Sequence, residues 1–160
     1  MSYAVRPATA ADAATILGFI RGLADYEKAA HLVEATEETV AASLFGPGAV
    51  AHAAICEAPD GTPVGFAVWY FSYSTWQARN GLYLEDLYVA PEHRGAGVGK
   101  RLLRHLARIA VETGCGRFEW SVLDWNEPAI RVYDAIGAEP QKEWFRYRLA
   151  GDGLKRFAEG

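Results

Sequence analysis

The stretch that decides the fold runs from residue 83 to residue 100: Tyr83-Leu-Glu-Asp-Leu-Tyr-Val-Ala-Pro-Glu-His-Arg-Gly-Ala-Gly-Val-Gly-Lys100. Its first part is apolar and aromatic, which predicts a strand from Leu82 to Val89. Its second part holds glycines at 95, 97 and 99. Leu102, Leu106 and Ile109 then recur at helical spacing and predict a helix from Val98 to Gly114. A strand that passes through a glycine turn into a helix is typical of α/β proteins.

The glycine turn has the chemistry of an anion site. Three missing Cβ atoms let successive backbone N–H groups face a phosphate or pyrophosphate at a helix N-terminus. It is not a Walker loop, because Arg101 stands where that motif needs Ser or Thr, and it is not a dinucleotide fingerprint, because Leu102 takes the third glycine position. A tight turn ahead of a helix is the structural alternative.

Basic residues surround this turn. Residues 92–108 contain five Lys or Arg and one Glu, a local charge of +4. Arg94 and Lys100 are the better candidates for binding an anion. Arg104 and Arg108 are expected on the solvated face of the helix.

The remaining chain alternates predicted helices and strands. Strands are predicted at 3–6, 51–57, 64–73, 118–123 and 143–149, and helices at 9–29, 36–44 and 126–136. Hairpins and crossovers both occur, so the expected class is α/β or α+β with a central mixed sheet. A length of 160 residues without linkers or repeats predicts one domain over residues 1–160.

Composition narrows the function classes. Hydrophobic residues make up 51% and charged residues 22% of the chain, as in a globular protein. The net charge of −4 disfavours nucleic-acid partners, and the lack of a leader or a long apolar run predicts a cytoplasmic protein without a membrane partner. Two cysteines and four histidines without ligand spacing predict reduced thiols and no metal.

Several motifs together resemble the GNAT N-acetyltransferase superfamily. Arg94-Gly-Ala-Gly-Val-Gly is similar to its Arg/Gln-x-x-Gly-x-Gly/Ala signature. Other matches are more specific to the diamine acetyltransferase branch, which includes spermidine/spermine and thialysine N-acetyltransferases: Arg6-Pro-Ala-Thr-Ala-Ala-Asp12, Tyr26-Glu27, Tyr83-Leu-Glu-Asp86, and Trp125-Asn-Glu-Pro128 followed by Tyr133. The resemblance covers residues 5–144 and implies a mixed sheet that is splayed where acetyl-CoA enters.

The resemblance implies acetyl-CoA as co-substrate and a set of residues to hold it. The pyrophosphate is expected on the turn formed by Arg94, Gly95, Ala96, Gly97, Val98, Gly99 and Lys100. The pantetheine arm is expected beside Leu87, Tyr88 and Val89, with further contacts from Asn126, Glu127, Pro128 and Ala129, and with Tyr133 near the sulfur.

The reaction needs a base and is helped by an acid. An amine with a pKa near 10.4 is protonated at pH 7, and its deprotonation costs about 4.6 kcal/mol. Glu85 matches the family position of the carboxylate that relays this proton. Asp86 is expected on the other face of the strand and is the weaker candidate. Tyr133 is the expected acid for the departing thiolate. Cys115 has no adjacent base in sequence, which favours direct transfer in a ternary complex.

The expected acceptor is the primary amine of a small diamine or of a lysine-like molecule. Residues 1–60 contain three Lys or Arg and eight Asp or Glu, a net charge of −5 that would attract a cation. Family substrate positions fall on Tyr26, Glu27, Trp76, Glu85, Glu119, Trp120 and Ser121. Glu27 is equally well explained as a plain charge at a helix end.

Within the branch, one position favours the thialysine type. Ser74 stands where the polyamine enzymes have an acidic residue, and a long polyamine needs a second anionic contact there. The alternatives are a polyamine acetyltransferase, an enzyme that acetylates protein lysines or N-termini, and a non-catalytic acetyl-CoA-binding module. The resemblance also implies a homodimer.

Overall fold

The computed structural model describes residues 2–160 and contains a five-stranded mixed sheet. The strands are β1 (Ala4–Pro7), β2 (Ala51–Glu57), β3 (Pro63–Ser74), β4 (Arg79–Val89) and β5 (Phe118–Trp120). They lie in sequence order; the first four are antiparallel, and β5 runs parallel to β4. The helices are α1 (Ala13–Tyr26), α2 (Glu37–Phe45), α3 (Val98–Glu112), α4 (Glu127–Ala135) and α5 (Gly151–Glu159). The α/β class is confirmed.

Most predicted elements are present with shifted ends. The strand at 51–57 is confirmed in full, β4 begins three residues earlier than predicted, and α1 ends at Tyr26 rather than near Ala29. The predicted strand at 143–149 is wrong: these residues pair with no strand in the described chain, and a strand pattern without a partner forms no ladder. Helix α5 was not predicted, because its glycines 151 and 153 weaken the helical signal.

Helices cover both faces of the central strands. In β2, Ala53 and Ile55 alternate with Ala54 and Cys56, and all four side chains are buried. The first pair packs with Ile16 of α1 in one core cluster, which also includes Val40 of α2 and Phe66 of β3. Helix α3 contributes a separate apolar stripe, with Val98, Leu102 and Leu106 buried.

An ion-pair network ties the start of the chain together. The Arg6 guanidinium donates to both carboxylate oxygens of Asp12 at 2.8 Å, and its Nε donates to Glu57 at 2.7 Å. Arg6 and the N–H of Thr9 hold the pKa of Asp12 at about 2 against the effect of burial. The Arg6-to-Asp12 motif therefore joins β1 and β2 to the entry of α1.

The described chain forms two compact units, Met1–Asp124 and Trp125–Gly160. The first contains the sheet with α1 to α3, and the second contains α4 and α5. Across residues 2–160, no helix combines the length and the apolar character that a bilayer crossing demands.

Candidate active site

The glycine turn between β4 and α3 has the backbone of an anion cradle. Gly95 and Gly97 have φ of 78° and 82°, a left-handed conformation that side chains rarely adopt. Gly97 is the N-cap of α3, and no side chain caps the N–H groups of the first turn. A Cβ built at either glycine would meet no atom within 4 Å, so there is open space beside the turn. The turn therefore fits a pyrophosphate.

Arg94 is held in an aromatic clamp beside this turn. Its Nε donates to the carbonyl of Val89 at 2.9 Å. Its guanidinium carbon lies 5.1 Å from the ring centre of Tyr26 and 5.4 Å from that of Tyr88. Three predicted site residues are thus brought together, and cation–π contacts join the end of α1 to the end of β4.

The pairing of β4 changes at the position of the predicted base. Leu82, Tyr83 and Leu84 pair with β5, and that pairing ends at Leu84. On the other side, Val68 lies opposite Asp86 while Trp69 lies opposite Leu84, so Glu85 is an extra residue in β4. This irregularity interrupts the strict alternation that was expected to turn Asp86 away from Glu85. Bulges of this kind re-aim side chains next to active sites.

Three carboxylates interact around this bulge. Burial, and then the charges of Glu85 and Glu27, raise the pKa of Asp86 to about 6. Burial also raises the pKa of Glu27. Glu85 is exposed. Since none of residues 2–160 forms an ion pair with these carboxylates, the cluster is suited to bind a cation.

The predicted substrate residues of β5 lie next to this bulge. Glu119 and Trp120 are half-buried and pair in register with Tyr83 and Leu84. The hydroxyl groups of Ser121 and Tyr83 lie 2.9 Å apart and share a hydrogen bond.

The β3–β4 turn contains the other two residues of interest. Trp76 is 84% exposed. Ser74 is buried at the end of β3, and its Oγ accepts the N–H of Gln77 at 3.2 Å. Ser74 thus has a structural bond within the turn and provides no charge.

The remaining predicted residues lie in the second unit. Asn126 is the N-cap of α4, and its carbonyl accepts the N–H of Ile130. Glu127, Pro128 and Ala129 form the first turn, and Tyr133 is half-buried seven positions after Asn126. That spacing places Asn126 and Tyr133 on one helix face. Their roles stay predictions.

Two features of the site, the position of Asp86 and the contacts around Arg94, were not predicted from the sequence. Asp86 was the weaker candidate, yet burial and the charges of Glu85 and Glu27 raise its pKa to about 6. The bulge beside it has no signal in the residues themselves. The clamp around Arg94 was also missed, although three of its parts, Tyr26, Tyr88 and Arg94, were candidates. Within residues 2–160, no three His, Cys, Asp or Glu side chains are grouped to hold a metal ion.

Comparison with known proteins gives consistent matches. The model of the acetyltransferase (GNAT) family matches residues 5–138. The chain is 39% identical to a thialysine N-epsilon-acetyltransferase of Bos taurus over 96% of both chains. It is 32% identical to the L-ornithine N5-acetyltransferase NATA1 of Arabidopsis thaliana, over 94% of this chain and 86% of that one.

A solved structure extends the match to the whole fold. An integron cassette protein from the mobile metagenome of V. cholerae superposes with a TM-score of 0.83 at 27% identity, covering 100% of this chain and 99% of that one. Fold and sequence together define an acyltransferase. The chain belongs to the acetyltransferase (GNAT) family, whose members use acetyl-CoA, and it transfers an acetyl group.

Proposed function

We propose that this enzyme transfers acetyl from acetyl-CoA to the side-chain amine of a small lysine-like molecule of the thialysine type. The main support is the carboxylate cluster of Glu27, Glu85 and Asp86, placed on and beside the strand that leads into the glycine turn. The similarity to thialysine N-epsilon-acetyltransferases agrees with this choice.

Acetyl-CoA supplies an acetyl group activated as a thioester. The uncapped N–H groups from Gly95 to Lys100 would hold its pyrophosphate. The segment of β4 from Leu87 to Val89 lies beyond the last residue paired with β5 and would hydrogen-bond its pantetheine amides. Asn126 and the first turn of α4 complete the proposed cofactor contacts.

The carboxylates bind and deprotonate the amine. Asp86 and Glu27 balance the charge of the incoming ammonium, and this attraction relieves the repulsion that raises the pKa of Asp86. Glu85, exposed at the bulge, accepts the proton through water. The base offsets the cost of about 4.6 kcal/mol for a neutral amine at pH 7.

Tyr133 acts as the general acid. Its phenol can donate a proton to the departing thiolate, so no covalent enzyme intermediate is needed. A covalent intermediate on Cys56 is disfavoured, because this thiol is buried and burial raises its pKa.

Ser74 favours a short acceptor. A polyamine would present a second ammonium group where this buried serine is already bonded to the β3–β4 turn. A lysine-like acceptor has paired charges at its far end and needs no carboxylate there.

The enzyme is further proposed to be a cytoplasmic homodimer built from one domain per chain. In support of a dimer, the segment 143–149, which has the alternation of a strand, exposes Trp144, Phe145 and Tyr147 by 71%, 84% and 95%. A second copy of the chain would bury this apolar surface. In support of one domain, the family match at 5–138 runs across the boundary between the two compact units.

The variant Gly97→Leu tests the cofactor site. A side chain at this position would fill the space in front of the N–H donors, so acetyl-CoA affinity should be lost in calorimetry. Gly114→Leu is the matched control, because Gly114 follows the same helix with a φ of 73° and open space around its Cβ. Equal affinity of the two folded variants would refute the phosphate cradle.

A further inference from the structure

A basic cavity lies on the side of α3 that faces β1. It measures about 180 Å³, and it is lined by Tyr3, Val5, Arg101, Arg104, His105 and Arg108. The four helix residues share one face, since they are three, four and seven positions apart. Tyr3 forms the opposite wall, where its hydroxyl shares a 3.0 Å hydrogen bond with Nδ1 of His93.

The charged side chains that line this cavity are all basic. In the described part of the chain, residues 2–160, no ion pair involves Arg101, Arg104 or Arg108, whereas Arg6 is bound by two carboxylates. No acidic residue lines the cavity. Arg104 and Arg108 are exposed, as the sequence predicts, and Arg101 is exposed beside them. At helical spacings of three and four, these like charges repel one another.

The fourth basic group is a half-buried imidazole. Burial and the charge of Arg108 lower the pKa of His105 against a smaller opposing effect of Glu112. This shift favours the neutral imidazole, so the positive charge of the cavity comes mainly from the three guanidinium groups. Its ring nitrogens remain available as a donor and an acceptor.

We infer that this cavity is a second anion site that binds a small phosphate-bearing ligand. Guanidinium groups form paired hydrogen bonds with phosphate oxygens, and three of them line this cavity. The volume lies below the range of about 300 to 1,000 Å³ of sites for larger organic ligands, so the ligand is small. Arg108 lies eight residues beyond Lys100, which places it roughly 12 Å along the helix from the glycine turn.

Calorimetric titration of the whole protein with inorganic phosphate and pyrophosphate tests the site, with sodium chloride at equal ionic strength as the reference. The double variant Arg104→Gln, Arg108→Gln should weaken phosphate binding at least about tenfold. The control Arg117→Gln, Arg156→Gln removes the same charge from two exposed positions elsewhere and should bind as the wild type does. A parallel loss in both double variants, or no saturable binding beyond that of chloride, would overturn the inference.

A second titration separates this site from the cofactor site. CoA and 3′-dephospho-CoA should each bind equally well to the wild type and to Arg104→Gln, Arg108→Gln. If the variant lost affinity for CoA and kept that for 3′-dephospho-CoA, the cavity would hold the 3′-phosphate of the cofactor, and the independent site would be refuted. Either result leaves the proposed acetyl transfer intact.

Discussion

Replacing Asp86 by Asn should change how stability depends on pH. In the folded protein, the pKa of Asp86 is raised from 3.8 to about 6, first by burial and then by Glu85 and Glu27. A raised carboxyl pKa stabilises the fold only while the group is protonated, so this contribution is lost as the pH rises from about 4 through 6. The rise corresponds to at most about 3 kcal/mol.

Asn keeps the size of the side chain and removes the titration. In urea unfolding, the free energy of unfolding of Asp86→Asn relative to the wild type should therefore rise by up to about 3 kcal/mol between pH 4 and pH 7. Hydrogen bonds that the substitution removes or adds shift the stability equally at both pH values, so their effect cancels when the two are compared. Amine KM should rise in the same variant, because one of the charges that attract the ammonium is gone.

Asp60→Asn is the control for this measurement. The backbone N–H of Thr62 lowers the pKa of Asp60, so its effect on stability changes only below about pH 4. The difference between Asp60→Asn and wild type should stay flat from pH 4 to pH 7. A similarly flat difference for Asp86→Asn would show that burial, Glu85 and Glu27 do not raise the pKa of Asp86.

Two further variants test the proposed chemistry. Tyr133→Phe should lower kcat about 10²-fold with little change in acetyl-CoA affinity. The control Tyr147→Phe keeps the aromatic ring in the proposed dimer contact, removes a hydroxyl outside the proposed catalytic groups, and should retain full turnover. A kcat within threefold of wild type for Tyr133→Phe would remove Tyr133 from the mechanism. Glu85→Gln should retain activity mainly at high pH, where the amine is already neutral, so its pH–rate profile should shift to higher pH. Glu92→Gln, at an exposed carboxylate near the turn, is the control. An unshifted profile for Glu85→Gln would exclude Glu85 as the base.

The local pattern was sufficient to predict the strand, turn and helix that form the proposed cofactor site. The run from Tyr83 to Lys100 combines alternation, glycines and a helical stripe, and each has a physical reason that depends on nearby residues only. The left-handed backbone of Gly95 and Gly97 confirms that glycine is needed there.

Features that depend on distant parts of the chain were harder to predict. The bulge at Glu85 arises from the register between β3 and β4, and the pKa of Asp86 depends on Glu27, which is 59 positions away in sequence. The segment at 143–149 has the pattern of a strand but lacks a partner in the described chain, and local pattern alone does not reveal whether a partner exists.

The relative turnover of thialysine and spermine tests the central claim most directly. Thiol release from acetyl-CoA would be followed with each amine at matched enzyme concentration, and kcat/KM compared. We expect thialysine to give the higher value, because Ser74 offers no charge to a second ammonium group. A tenfold preference for spermine would contradict the thialysine-type assignment, and acetyl-CoA binding without turnover of any small amine would contradict the proposed reaction.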